Sequence, residues 1–130
     1  MAKMKRPPTI TVVAWIFILA GSAGLMADLW PLVTPNAAQQ LAKLRADGLA
    51  DLGPAWGLRL LAIIGGIGLL RGYNWARWLL ALWMMAHVGI SLFHSLGEVL
   101  AHAAIFVPIL YLLFRAPIQP YFRASNGSSG

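Results

Sequence analysis

One unbroken apolar stretch, residues 9–30, constrains this chain more than any other feature. It contains a single ionisable side chain, Asp28. An α-helix rises 1.5 Å per residue, so this stretch would be about 33 Å long, against roughly 30 Å for the hydrocarbon core of a bilayer. Hydrophobic residues make up 59% of the chain and charged residues 11%, whereas soluble domains have about 45–50% and 25%. Too few polar side chains remain to cover a water-facing surface, and we predict an integral membrane protein.

Three further apolar segments follow, so that the predicted spans are about residues 9–30, 56–70, 75–93 and 98–114. The second is short for a span and requires a tilted neighbour, local thinning of the bilayer or snorkelling by Arg59. A turn at residues 95–97 separates the last two, because one helix across both would be about 60 Å long. The predicted fold class is all-α: an integral membrane four-helix bundle formed by a single domain, residues 1–123, with a flexible tail at 124–130.

The only long polar stretch lies between the first and second spans. Asn36 with Gln39 three residues later fits the start of a helix. We predict an amphipathic surface helix over residues 36–52 that ends at Gly53 and Pro54. The leucines on its apolar face are Leu41, Leu44 and Leu52.

Lysine and arginine are distributed unevenly between the two sides of these spans. By the positive-inside rule, the richer side is cytoplasmic, which places both termini in the cytoplasm and the surface helix outside. A basic N-terminus before an apolar stretch also fits a cleavable signal peptide, but the apolar stretch continues to Trp30, which favours a retained span. The residues on the predicted cytoplasmic side are Lys3, Lys5, Arg6, Arg71, Arg77, Arg115 and Arg123.

Four ionisable residues in or beside the last two spans are candidate ligands: His87, His94, Glu98 and His102. His87 and His94 share one helix face, and Glu98 and His102 share another. Three imidazoles and a carboxylate can bind zinc, copper or iron, or serve as axial ligands of a haem or chlorophyll. The alternatives are a hydrogen-bonded structural cluster between helices, or no mutual contact.

Other kinds of chemistry find little support in the sequence. The chain has no cysteine, which excludes disulfides and thiolate nucleophiles. Its net charge of +6 comes from residues at the ends of apolar segments, so we expect no nucleic-acid partner. Ser91 with His87 is the best nucleophile and base pair available, but four-residue spacing of these types is too common to indicate an enzyme. We predict no catalytic residue.

Small residues recur at four-residue spacing within the first two spans. Such faces allow helix backbones to approach closely, so they predict packing within the bundle or against a partner helix. The pairs are Ala20 with Gly24, Ala23 with Ala27, and Ala62 with Gly66.

The most distinctive string in the chain is residues 72–78, Gly-Tyr-Asn-Trp-Ala-Arg-Trp. It resembles the Gly-x-Asn-Trp-Ala-Arg-Trp start of the third span in small four-helix bacterial inner-membrane proteins that have no assigned activity. The strings at residues 113–115 and 121–123 are similar to segments of the same proteins. The resemblance implies a multi-pass protein of the bacterial inner membrane and adds no catalytic residue. Within the string, we expect Gly72 to end one helix, Asn74 to cap the next, and Trp75, Arg77 and Trp78 to anchor at the interface.

These observations favour a non-catalytic integral membrane protein, a small accessory or scaffold subunit that packs with itself or with partner membrane proteins. One alternative is a metal- or tetrapyrrole-binding subunit that uses His87, His94, Glu98 and His102. Another is a small oligomeric transporter or channel, although no carboxylate lies mid-span and only His87 approaches the midplane.

Overall fold

The computed structural model describes residues 5–47 and 52–126, which form helices joined by short turns, with no strand among them. The prediction of an all-α fold is therefore confirmed for the described residues. Short 3₁₀ turns follow the first and fifth helices. The helices are α1 Pro8–Leu29, α2 Ala37–Asp47, α3 Leu52–Leu70, α4 Asn74–Ser91, α5 Leu96–Phe114 and α6 Gln119–Asn126.

Three of these helices are long and apolar enough to cross a membrane: Pro8–Leu32, Gly53–Leu70 and Leu96–Phe114. They correspond to the first, second and fourth predicted spans. α4 corresponds to the third predicted span. Its polar side chains, including Asn74 and Arg77, make α4 less apolar than these three helices.

The second span is longer than its sequence suggested. Gly53 and Pro54 lie in the first turn of α3 instead of ending the surface helix. Proline is tolerated there because the first backbone N–H groups of a helix have no partner within it. With 19 residues, α3 is about 28 Å long and needs no unusual thinning of the bilayer. The surface helix ends at Asp47, and residues 48–51 lie outside the described part of the chain.

The long helices pack in order along the chain, α1 on α3, α3 on α4 and α4 on α5. We call the end with the start of α1 and the α3–α4 turn the terminal end, and the opposite end the loop end. At the terminal end α1 also meets α5, where the Arg115 guanidinium lies 3.3 Å from Thr9 Oγ1. The side chains buried on α5 are Ile109 and Leu113, both in its second half. The four helices are therefore closely packed at the terminal end and open at the loop end.

Gly21 of α1 and Gly65 and Gly66 of α3 lie at helix contacts inside the chain, whereas Ala20, Ala23 and Ala27 of α1 are exposed. A Cβ atom added at Gly66 would lie 2.7 Å from the Ala14 carbonyl oxygen, and one at Gly21 would lie 2.8 Å from that of Arg59. On the other side of α3, a Cβ at Gly65 would lie 2.6 Å from the Leu80 side chain. The predicted close approach of helix backbones is thus intramolecular at these positions.

The turn between α3 and α4 is a glycine-terminated helix end. Gly72 has φ 78°, and the N–H of Tyr73 donates to the Gly68 carbonyl while that of Gly72 donates to Leu69. This pair of bonds is the Schellman arrangement, in which the residue with positive φ is usually glycine. The role predicted for Gly72 is confirmed. The capping role predicted for Asn74 is wrong, because Tyr73 is the N-cap of α4 and no side chain caps the helix.

The C-terminal segment folds back onto the terminal end as α6, which the sequence analysis missed. Ile118 and Phe122 are buried there, and the Tyr121 hydroxyl donates to the Leu70 carbonyl oxygen at 3.0 Å. The predicted flexible tail began at residue 124, but α6 continues to Asn126. Residues 127–130 lie outside the described part.

The tight contact of α1 with α3 gives a matched pair of substitutions in one helix. We expect Gly66→Ala to lower the free energy of unfolding by about 1–3 kcal/mol, because the new methyl group meets the Ala14 backbone. Gly57→Ala meets nothing within 4 Å and should leave stability unchanged or raise it by up to about 1 kcal/mol. Unfolding in mild detergent, followed by tryptophan fluorescence, measures both. Equal effects would contradict the packing described.

Candidate functional site

The structure brings two of the four candidate ligands together. The rings of His87 on α4 and His102 on α5 have centroids 6.3 Å apart. His94 lies exposed in the turn between the helices, and Glu98 lies exposed in the first turn of α5. Among the described residues, no group of three or more His, Cys, Asp or Glu side chains is placed to hold one metal ion. Metal or tetrapyrrole binding by the full set stays a prediction, with His87 and His102 as its closest pair.

Each of the three imidazoles is oriented by the backbone carbonyl of the residue four positions earlier in the chain. Nδ1 lies 3.2 Å from the Trp83 oxygen in His87, 3.0 Å from the Ile90 oxygen in His94 and 2.8 Å from the Glu98 oxygen in His102. Because a carbonyl oxygen only accepts hydrogen bonds, Nδ1 carries the proton. In the neutral ring, Nε2 then presents its lone pair, as in histidines that bind a metal or accept a hydrogen bond.

Ser91 joins the two helices at this point. It is 3% exposed, and its hydroxyl donates to the His87 carbonyl oxygen at 2.8 Å. The same hydroxyl lies 2.9 Å from Nδ1 of His102, from which it accepts. Because that Nδ1 carries a proton, it cannot act as a base toward Ser91. The sequence pattern suggested a pair of Ser91 with the His87 ring. In the structure, the imidazole next to the Ser91 hydroxyl is that of His102, on the other helix of the α4–α5 hairpin.

Aromatic rings surround the two imidazoles. The Trp83 ring lies 3.8 Å from that of His87, centroid to centroid, and meets Phe17 of α1 edge-on at 5.4 Å. Its indole N–H donates to the Leu58 carbonyl oxygen of α3 at 2.6 Å. Phe106 of α5 lies close to His102, at 5.6 Å. Trp83 of α4 therefore links α1 and α3 next to His87. Its position within an apolar span did not predict this role.

An ion pair ties α1 to α3 at the loop end. Arg59 Nε donates to Asp28 Oδ2 at 2.5 Å, and a terminal nitrogen of Arg59 donates to Oδ1 at 3.1 Å. Gly24 makes room for the guanidinium, since a Cβ atom there would collide with it. Planar two-point contact of this kind is the strong form of an arginine–carboxylate pair. Snorkelling was expected of Arg59 and this pair was not predicted, although opposite charges at the same end of consecutive spans were a usable signal.

A cavity of about 340 Å³ lies next to this ion pair. It is a partly open concavity between α1, α3 and α4, and its walls are mainly apolar, with Arg59 and His87 as the ionisable residues. Small-molecule sites have this character: concave, largely apolar and oriented by a few polar groups. Its lining residues are Ala20, Gly21, Ala55, Leu58, Arg59, Trp83, His87 and Ile90.

The strings that carried the resemblance meet at the opposite, terminal end. Arg77 is 6% exposed and lies between aromatic rings, 4.4 Å from the ring centroid of Phe122 and 5.2 Å from that of Phe114. Its guanidinium donates to Asn74 and, at 3.0 Å, to the Gln119 side chain. The prediction of Arg77 as an interfacial anchor is wrong, because this arginine is an internal clamp between α4, α5 and α6.

The ion pair beside the cavity can be tested by a double-mutant cycle. We expect Asp28→Ala and Arg59→Ala to show a coupling energy of about 1–3 kcal/mol in unfolding, because the two side chains contact each other directly. Glu98→Ala combined with Arg59→Ala is the matched control and should be additive, since no ion pair joins them in the described residues. Additive effects of Asp28→Ala and Arg59→Ala would contradict the contact.

Comparison with known proteins does not assign this chain to a family. No protein-family model matches the chain, and neither a curated protein nor a solved structure gives a significant match. The functional reading rests on the chain's own residues.

Proposed function

We propose that this chain is a non-catalytic, four-span subunit of the bacterial inner membrane that packs against a partner helix. The remaining span, third in chain order, is α4, which lies between α3 and α5, both long and apolar enough to cross a membrane. Its outward side chains are apolar, with Leu82 and Met85 about two-thirds exposed. Its polar residues Asn74 and Arg77 are bonded inside the protein. α4 can therefore cross lipid beside its neighbours without presenting unsatisfied polar groups.

The distribution of charge supports a cytoplasmic terminal end. The described lysines and arginines are fewer on the loop-end side, where they are Lys43, Arg45 and Arg59. This asymmetry follows the positive-inside rule. The described cations near the terminal end are Lys5, Arg6, Arg71, Arg77, Arg115 and Arg123.

The observation that carries the proposed subunit role is an uncovered face of α5. Gly97, Ala101, Ala104 and Pro108 recur at spacings of four, three and four residues, and all four are exposed. Gly21 of α1 and Gly66 of α3 make comparable close contacts inside the chain. A small-residue face drives helix association in lipid by close backbone packing. The α5 face therefore suits a helix from a second copy or from another membrane protein.

Cysteine crosslinking in native membranes tests this role directly, because the chain has no cysteine of its own. We expect Ala101→Cys and Ala104→Cys to form a disulfide-linked or short-linker adduct in high yield. A second copy would give a product of twice the mass, and a different partner would give a mixed adduct.

Met26→Cys is the control. Met26 is 69% exposed on α1 and lies at a similar distance from the loop end, but outside the α5 face. It should crosslink at least several-fold less than Ala101→Cys. Equal yields at both positions, or no adduct at Ala101 and Ala104, would contradict a specific partner at α5.

A second function, cofactor binding, is favoured by the pair of imidazoles. His87 and His102 lie 6.3 Å apart between ring centroids, with Nδ1 of each directed to a carbonyl oxygen. If they bind a metal or tetrapyrrole, protein purified without added metal should contain it in stoichiometric amount or show a Soret band. His87→Ala and His102→Ala should each remove the signal, and His94→Ala should retain it because His94 is exposed in the turn. Colourless, metal-free protein would exclude this function.

A further inference from the structure

A second concavity lies on the outer surface of α3 and α4 at the terminal end, whereas the histidines lie toward the loop end. Its volume is about 170 Å³. The floor is apolar, and its ionisable lining residues are Arg71 and Tyr73 at the turn between the helices. The residues around it are Ile64, Ile67, Gly68, Arg71, Tyr73 and Trp75.

The groove follows the direction of α3 toward its C-terminus. Ile64 and Ile67 are both more than two-fifths exposed and are one helical turn apart, so they form an apolar strip along the helix. At Gly68, a Cβ atom would lie 3.2 Å from the Trp75 ring. The missing side chain thus allows that ring to approach α3 and form one wall. The strip leads directly to Arg71.

Two aromatic rings lie beside the charged end of the groove. Tyr73 and Trp75 are stacked with centroids 6.0 Å apart, and both are partly exposed. Tyrosine and tryptophan concentrate at membrane interfaces, where the ring lies among the upper acyl carbons and the polar group reaches the headgroups. Their position places the mouth of the groove at headgroup level.

Among the residues that the structure describes, no carboxylate forms an ion pair with the cation at the mouth. Arg71 is exposed, and the ion pair found among the described residues joins Arg59 to Asp28 at the other end of the molecule. The described cations Lys5, Arg6 and Arg123 also lie at the terminal end. The local field therefore favours a ligand with net negative charge, and a zwitterionic headgroup gains less because its own cation offsets its phosphate.

We propose that this groove binds one anionic phospholipid of the cytoplasmic leaflet. An acyl chain lies along Ile64, Ile67 and Gly68, and the headgroup phosphate accepts hydrogen bonds from the Arg71 guanidinium. The inference rests on the proposed membrane insertion and orientation, and it adds a specific lipid site that the charge asymmetry alone does not define.

Native mass spectrometry of the detergent-solubilised protein tests the site with phosphatidylglycerol and phosphatidylcholine as probes. The protein should retain one phosphatidylglycerol in preference to phosphatidylcholine. Arg71→Gln should weaken phosphatidylglycerol binding about fivefold, which corresponds to about 1 kcal/mol for one basic residue at the membrane surface. Arg71→Lys, which keeps the charge, should recover most of that loss. Both variants should retain the thermal midpoint of the original protein.

Arg123→Gln is the matched control, because Arg123 is another exposed cation at the same end but lies on α6, outside the groove. It should leave phosphatidylglycerol binding within about twofold. Equal losses for Arg71→Gln and Arg123→Gln would overturn the site and indicate general attraction to a basic surface. Equal binding of the two lipids by the original protein would overturn it as well.

Topology separates failure of this site from failure of the proposed function. Reporter fusions after Leu52 and after Arg123 should report opposite sides of the membrane, with the second cytoplasmic. The same side for both, or release of the protein from membranes by alkaline carbonate, would overturn the four-span proposal and the lipid site together. Opposite sides without lipid selectivity would overturn only the lipid site.

Discussion

Backbone contact between α1 and α3 is the interaction on which the remaining structure depends. Lipid is as apolar as a leucine side chain, so helices in a bilayer gain little from burying apolar surface and associate through close packing and hydrogen bonds. Gly21 and Gly66 supply that packing, since each faces a backbone carbonyl of the opposite helix. With α1 and α3 this close, Asp28 reaches Arg59, and Trp83 can bond α3 while its ring contacts α1.

The two ends of the molecule are packed differently. The terminal end stabilises the fold, and the loop end contains the candidate binding residues. At the terminal end, Arg77, Phe122 and Tyr121 close the space between α4, α5 and α6 with buried contacts. At the loop end, the first half of α5 has no buried side chain, and His87 and His102 lie beside incompletely packed surfaces. Binding surfaces commonly occur where a rigid scaffold leaves polar groups accessible. A clamp at one end and an opening at the other suit a subunit that is completed by a partner helix or a bound molecule.

Local rules predicted much of the secondary structure. The apolar stretches located α1, α4 and α5, and Gly72 was correctly expected to end α3 because a positive φ favours glycine. Errors arose where a residue's partner lies far along the chain. Arg77 looked like an interfacial anchor because Gln119 and Phe122, which surround it, are distant in sequence. α6 was missed because its apolar residues are few, and their burial becomes evident only when the helix folds back.

The sequence by itself determined which segments are long and apolar enough to cross a membrane, the helical state and the asymmetry of charge, because each depends on composition and on spacing along one segment. Only the tertiary structure decided which polar groups meet. His87 and His94 share a helix face, yet His102 is the near neighbour of His87, because the α4–α5 hairpin brings those two side chains together and leaves His94 in the turn. Spacing within a helix fixes a side chain's direction, but its partner depends on how neighbouring helices approach, which here follows from the glycine contacts between them.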